Sequence, residues 1–180
     1  MDKTAIEHWS PVIGGQFWWT GLIFVLIFVP LMIFLGSKIS SKQRDMVLYG
    51  MGIYQLGNKA LTQIGYIFSD NYIMASNLPL HLCGLSGILA GIVVFYRKQI
   101  LFEFLYFFGL VGFIHSVLTP EFTGGVSSWK IFDYYVGHSM LIIIPVWLMK
   151  YYEFRLRHNA WWTSFISVSY THLTLPTSYA

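Results

Sequence analysis

The chain has one cysteine, Cys83, which lies two residues after His81 inside a long apolar run. A thiolate with a histidine base can attack an acyl carbonyl, and polar groups at membrane depth usually have a function. Residues two apart on a regular helix point in nearly opposite directions, so His81 is not treated as the base for Cys83. We therefore expect the base to come from another helix. A packing role stays open, because a buried cysteine behaves as a small apolar residue.

Further polar residues in apolar segments are candidates for the same site. They are His115, His138, Lys59, Asn58 and Gln63. Asn58, Lys59 and Gln63 lie with Gln55 on one helix face about 140° wide. This face should turn into the bundle or a wet cavity. Lys59 would need Glu, Asp or a ligand headgroup as its partner.

Glu103 and Asp133 are interpreted as structural contacts, with Asp133 at the membrane interface. Tyr134 and Tyr135 are interpreted as part of an aromatic belt.

The composition predicts an all-α, polytopic transmembrane helical bundle. Of the 180 residues, 56% are hydrophobic and 11% are charged, against about 25% charged in soluble domains. The net charge of +3 is too small to indicate a nucleic-acid-binding protein, so membrane lipids are the expected partners. The histidines show no i, i+4 pair that would favour a metal site, and we expect no metal and no cofactor. The oligomeric state cannot be derived.

Hydropathy and loop charge predict the membrane topology. The predicted spans are 17–35, 46–68, 77–96, 100–119 and 131–149, with a truncated sixth at 160–167. The loops after spans 1, 3 and 5 are the basic ones, so the positive-inside rule predicts an outside N-terminus in a cell membrane. With a rise of about 1.5 Å per residue, Cys83 and the histidines at 81, 115 and 138 then lie roughly 6–10 Å below the outer boundary. Glu103 lies near the cytoplasmic side.

The last residues do not continue the apolar pattern. Residues 168–180 resemble the translation of a transposon-type sequencing adapter, so we interpret them as read-through that follows a single transmembrane domain, residues 1–167. His172 is therefore left out of the candidate site. The intact protein is expected to continue past Ser167, with six or seven spans.

Three short motifs resemble those of a known family. They are Asn77-Leu-Pro-Leu-His-Leu-Cys83, the Gly-Leu-Val-Gly-Phe-Ile-His115 run that leads to Pro120, and Phe132-Asp-Tyr-Tyr-Val-Gly-His138. They resemble YwaF-type bacterial integral membrane proteins, which are similar to the eukaryotic transmembrane protein 164 family. The resemblance implies a glycerophospholipid acyltransferase with Cys83 as the nucleophile and His138 as the base. His81 and His115 match the motifs without an assigned role.

Three functions are compatible with this sequence. The first is a lipid acyltransferase or hydrolase, in which Lys59, Asn58 or Gln63 binds a phosphate or the oxyanion. The second is a transporter or permease with the polar layer as its path, although no inverted repeat is visible. The third is a structural membrane protein whose histidines only bond between helices.

Overall fold

The computed structural model describes residues 8–68, 82–123 and 127–166, and these residues form a bundle of packed helices. The long helices are α1 (Gln16–Lys38), α2 (Ser41–Ile67), α3 (Leu82–Phe95), α4 (Gln99–Leu118) and α5 (Ser128–Tyr151). Residues 160–166 are helical as well. Two short strands, β1 (His8–Trp9) and β2 (Phe122–Thr123), pair in an antiparallel sense. The prediction of an all-α helical bundle is confirmed.

Length and composition explain which helices can cross a membrane. Among the described residues, α1, α4 and α5 are long and apolar enough to do so. Helix α2 has 27 residues and is about 40 Å long, but its polar side chains lower its hydropathy. Helix α3 is apolar and shorter, with 14 residues, and residues 77–81 of the predicted third span lie outside the described residues.

Helices α2 to α5 pack as neighbours in chain order, and α1 packs against α5. Contacts join α2 to α3, α3 to α4, α4 to α5, and α1 to α5. The core lies among α2, α3, α4 and α5, where Leu48, Val94, Phe102 and Trp147 are fully buried. Consecutive helices run in opposite directions, so the bundle has two ends, which we call the Trp18 end and the Arg97 end.

The Trp18 end is closed by aromatic contacts and by the strand pair. The Trp18 indole donates a hydrogen bond to the Leu118 carbonyl at 2.8 Å. The Phe122 ring on β2 lies 4.6 Å from the Tyr134 ring. The sequence predicts that this end faces outside, and that orientation stays a prediction.

Charged pairs hold the Arg97 end together. Arg97 lies 3.2 Å from Asp45 on α2, and Tyr152 donates to the same carboxylate at 2.6 Å. The Tyr152 hydroxyl and the Arg97 guanidinium hold the pKa of Asp45 below its usual value. Burial and the hydrogen bond to Asp45 raise the pKa of Tyr152 to about 12.

Candidate functional site

Cys83 lies in the first turn of α3, where α3 meets α4. The half-buried thiol is 3.9 Å from the Gly112 carbonyl oxygen. A Cβ atom at Gly112 would lie 3.5 Å from Cys83 Sγ and 3.6 Å from Leu141 Cδ1. Because Gly112 has no side chain, α3 and α5 both approach this point of α4. Cys83 therefore lies where three helices meet.

His138 lies on α5 at the same level as Gly112. Tyr134 Oη donates to the Ser116 carbonyl at 3.1 Å, and a Cβ at Gly109 would lie 2.6 Å from the Leu141 carbonyl oxygen. These two contacts fix the antiparallel register of α4 and α5 on either side of Gly112. By interpolation, His138 is level with Gly112, and so Cys83 and His138 occupy one layer of the bundle.

A hydrogen bond defines which nitrogen of His138 can act as a base. The Nδ1 atom lies 2.7 Å from the Tyr134 carbonyl oxygen. A carbonyl oxygen only accepts hydrogen bonds, so Nδ1 carries the proton of the neutral ring and Nε2 does not. The Tyr134 ring lies 4.3 Å from the imidazole and restricts its rotation. The neutral tautomer therefore keeps Nε2 as the proton acceptor.

The prediction of an aromatic belt at Tyr134 and Tyr135 is wrong. Tyr135 is only 4% exposed and packs against Gly21 of α1. Tyr134 is half-buried and is bonded to Ser116 as described. Both rings point into the bundle because the adjacent helices offer apolar partners, and Tyr134 becomes part of the surroundings of His138.

The polar face of α2 turns toward α5, as its periodicity predicts. Gln55 is 1% exposed, and its amide donates to the Gly137 carbonyl at 2.8 Å. Asn58 Nδ2 lies 2.8 Å from both Asp133 carboxylate oxygens, and Tyr54 Oη donates to Oδ1 at 2.5 Å. The face is thus joined to α5 by hydrogen bonds over more than one turn.

The interpretation of Asp133 as a structural contact fits the hydrogen bonds that it accepts, and its place at the membrane interface stays a prediction. Its carboxylate is the acceptor at the centre of the hydrogen bonds from α2. Two members of this network, Tyr54 and Asp133, were not among the predicted site residues. Their spacing contains the missed signal: Asp133 and Gly137 are four apart on α5, and Tyr54 and Asn58 are four apart on α2, so each pair forms one helix face.

Lys59 extends from α2 across α3. Its Cε atom would lie 2.7 Å from a Cβ at Gly87, so the missing side chain of Gly87 leaves the space that Lys59 occupies. Gly87 is four residues after Cys83, and both therefore lie on the same face of α3. Asp133 accepts a hydrogen bond from Asn58, the residue before Lys59. Among the described residues no acid lies within salt-bridge distance of Lys59, so its acidic partner stays a prediction.

The remaining predicted residues are distributed unevenly. Gln63 is half-buried on α2, one turn beyond Lys59, whereas His115 is exposed on α4. His81 lies outside the described residues. In the part of the chain that the structure describes, no group of three His, Cys, Asp or Glu side chains could hold a metal ion.

The fold and this polar interior define a multi-pass α-helical membrane protein. The model of the TMEM164 family matches residues 7–175, and the chain therefore belongs to the TMEM164 family. Neither the comparison with curated proteins nor the one with solved structures gave a match. The narrower resemblance to YwaF-type bacterial proteins stays a prediction.

Proposed function

We propose that the chain is a membrane-embedded lipid acyltransferase or hydrolase, with Cys83 as the nucleophile and His138 as the general base. The observation that carries the proposal is that a thiol and a histidine with a defined tautomer lie in one layer of the bundle. The only thiol of the chain lies there, and the Nδ1 bond of His138 to a carbonyl leaves Nε2 as the proton acceptor. Acyl transfer through a thioester needs such a thiol and such a base.

The reaction divides into two balanced halves. First, His138 Nε2 takes the thiol proton while Cys83 Sγ attacks the carbonyl carbon of a lipid ester. The C–O bond then breaks, and the leaving alcohol takes the proton back from His138. In the second half, an acceptor hydroxyl gives its proton to His138 and attacks the thioester. The C–S bond breaks, and Cys83 regains its proton. A lipid hydroxyl as acceptor gives transfer, and water gives hydrolysis.

The substrate class follows from the surroundings of the thiol. Cys83 lies in the first turn of α3, on the Trp18 side of the bundle, where an ester carbonyl below the headgroup layer would reach it. Lys59, Asn58 and Gln63 of α2 offer a cation and amides for the phosphate or the oxyanion. His81 and His115 remain candidates for lipid contact nearer the membrane surface.

The test compares four purified proteins in lipid vesicles: the wild type, Cys83→Ala, His138→Gln and His158→Ala. The vesicles contain a phospholipid with a labelled acyl chain and a lysophospholipid acceptor. We expect the wild type and His158→Ala to form labelled product and a hydroxylamine-sensitive acyl-protein. Cys83→Ala should form neither. His138→Gln should lose at least about a hundredfold in rate, the usual contribution of a positioned base.

Turnover by Cys83→Ala at the wild-type rate would overturn the proposal, because the thiol would then be a packing residue. Equal rates in the wild type and His138→Gln would remove the base from the mechanism. His158 is the matched control, since it is an exposed histidine near the Arg97 end. Its replacement reports any general effect of losing an imidazole.

A further inference from the structure

Lys59 is a basic side chain inside the bundle, and no acid among the described residues lies within salt-bridge distance of it. Charged side chains at this depth persist only with a partner or a function. Asp133 accepts a hydrogen bond from Asn58, the residue before Lys59, and the Lys59 stem lies beside Gly87, one turn from Cys83. A carboxylate, a basic side chain and a thiol therefore lie on three helices that contact one another, α5, α2 and α3.

We propose that Asp133 is a positioning residue that, with Tyr54 and Asn58, keeps Lys59 charged and directed at Cys83, where the ammonium stabilises the thiolate. The use of that thiolate for acyl transfer rests on the function proposed above. The link between Asp133, Lys59 and Cys83 concerns only the reactivity of the thiol.

The first support is the way in which Asp133 is held. Tyr54 and Asn58 are neutral donors, and both belong to the helix that carries Lys59. Their hydrogen bonds hold α2 against α5, and one of them is made by Asn58, the residue directly before Lys59. The next residue on a helix points about 100° further around. When Asn58 faces Asp133 on α5, Lys59 is therefore turned away from α5 and toward α3.

The second support is the space that α3 provides. The Lys59 stem crosses Gly87, where any side chain would meet it. Gly87 and Cys83 share one face of α3, one turn apart, so the Lys59 stem lies about one helical turn from the residue that carries the thiol.

The consequence for the thiol is electrostatic. Loss of its proton leaves a negative sulfur in a poorly solvated layer, and a fixed ammonium several ångströms away stabilises it. In this arrangement the carboxylate of Asp133 balances the charge of Lys59 before the thiol ionises. His138 still removes the proton, and Lys59 lowers the free energy of the resulting anion.

The test measures alkylation of Cys83 by N-ethylmaleimide, which labels one site because the chain has one cysteine. Initial rates are measured at a fixed neutral pH in vesicles and are divided by the amount of folded protein. We expect Lys59→Met and Asp133→Asn each to slow labelling about tenfold, the size of a charge interaction across several ångströms of protein. The double variant Lys59→Met with Asp133→Asn should be no slower than Lys59→Met alone, because Asp133 acts through Lys59.

A rescue separates this role from a structural one. Arginine stays charged without a carboxylate partner. Asp133→Asn combined with Lys59→Arg should therefore label faster than Asp133→Asn alone, by severalfold. Additive losses in the double variant with Met, or no rescue by Arg, would overturn the proposal.

Labelling does not depend on lipid turnover, so the two proposals can fail separately. Fast labelling that depends on Lys59, in a protein that transfers no acyl group, would remove the proposed function and keep this inference. If the protein transfers acyl groups but the labelling rate does not depend on Lys59 and Asp133, the proposed function stands and this inference fails.

Discussion

Two carboxylates of the bundle, Glu103 and Asp133, are bound in contrasting ways. Glu103, at the Arg97 end, is 1% exposed and accepts five hydrogen bonds: one from the Gln99 side chain, and four from the backbone and guanidinium of Arg157. Asp133 accepts from two neutral side chains, Tyr54 and Asn58. Lys59 follows Asn58 in the chain, and its stem lies beside Gly87 of α3.

The two carboxylates differ in whether a cation is bonded directly to them. A cation that is bonded at both oxygens of a carboxylate has little capacity left for a substrate. Glu103 and Arg157 thus connect α4 to the segment after α5 and do little else. A cation held by charge at a distance keeps its donors for another anion. The region around Lys59 therefore differs from the Arg97 end in the way that the proposed chemistry requires.

The largest effect on stability is expected from Arg157→Ala. The change leaves the buried Glu103 carboxylate without its cation and without the three hydrogen bonds from the Arg157 side chain, which should lower the free energy of unfolding. Unfolding of the purified protein in mixed micelles measures it. Arg155→Ala is the control, since Arg155 contributes its carbonyl, not its side chain, to the contact with Gln99. Equal losses in both variants would contradict the special role of Arg157.

Gly36→Ala should destabilise the Arg97 end without touching the thiol. A Cβ atom there would lie 2.6 Å from the ring of Trp147, which is buried and cannot move aside. Overpacking of this kind costs about 2 kcal/mol. The same unfolding measurement checks the loss, and the alkylation rate of Cys83 should stay at the wild-type value. A slower rate would show that the two regions are coupled.

Gly87→Ala should have the opposite profile. The new methyl group meets the flexible end of Lys59 rather than backbone or ring atoms. Lys59 can move at a cost below about 1 kcal/mol, but it then leaves its position near Cys83. We expect a severalfold slower alkylation with little change in thermal stability. An unchanged alkylation rate in a folded variant would contradict the position proposed for the Lys59 side chain.

The smallest effect is expected at Asp45, and it depends on pH. The pKa of Asp45 is lowered first by the Tyr152 hydroxyl and then by Arg97. A lowered pKa in the folded state stabilises the fold above the unfolded value of about 3.9, and this is lost as the pH falls through the folded value. Tyr152→Phe should therefore melt slightly below the wild type at pH 7, and the two melting temperatures should approach each other near pH 3. A gap that widens in acid would contradict this sign.

Apolar length predicted the helices well and their ends less well. The predicted span 17–35 became Gln16–Lys38, and the predicted span 131–149 became Ser128–Tyr151. The second difference changes the place of Asp133 in its helix. Ser127 caps α5 by accepting a hydrogen bond from the Lys130 amide, so the helix begins three residues earlier than its apolar stretch. Asp133 then lies more than one turn inside α5, where Tyr54 and Asn58 of α2 bond to it.

The pairing of the site residues could be predicted only in part. Helical periodicity indicated that Asn58, Lys59 and Gln63 share a face, and depth indicated that Cys83 and His138 share a layer. Neither property states which helix a face meets, because contacts between α2 and α5 join residues far apart in the chain. The Tyr134 bond that defines the His138 tautomer depends on one rotamer, which hydropathy does not report.

The strand pair at the Trp18 end bears on how a substrate would arrive. Trp9 and Phe122 pack against Phe17, and Phe122 covers the Tyr134 ring next to His138. In the described part of the chain, this aromatic layer lies between Tyr134 and the water beyond the bundle. A molecule dissolved in the bilayer can instead enter sideways between helices. Reaction rates should then follow the mole fraction of substrate among the surrounding lipids, and diluting the vesicles in buffer should leave them unchanged.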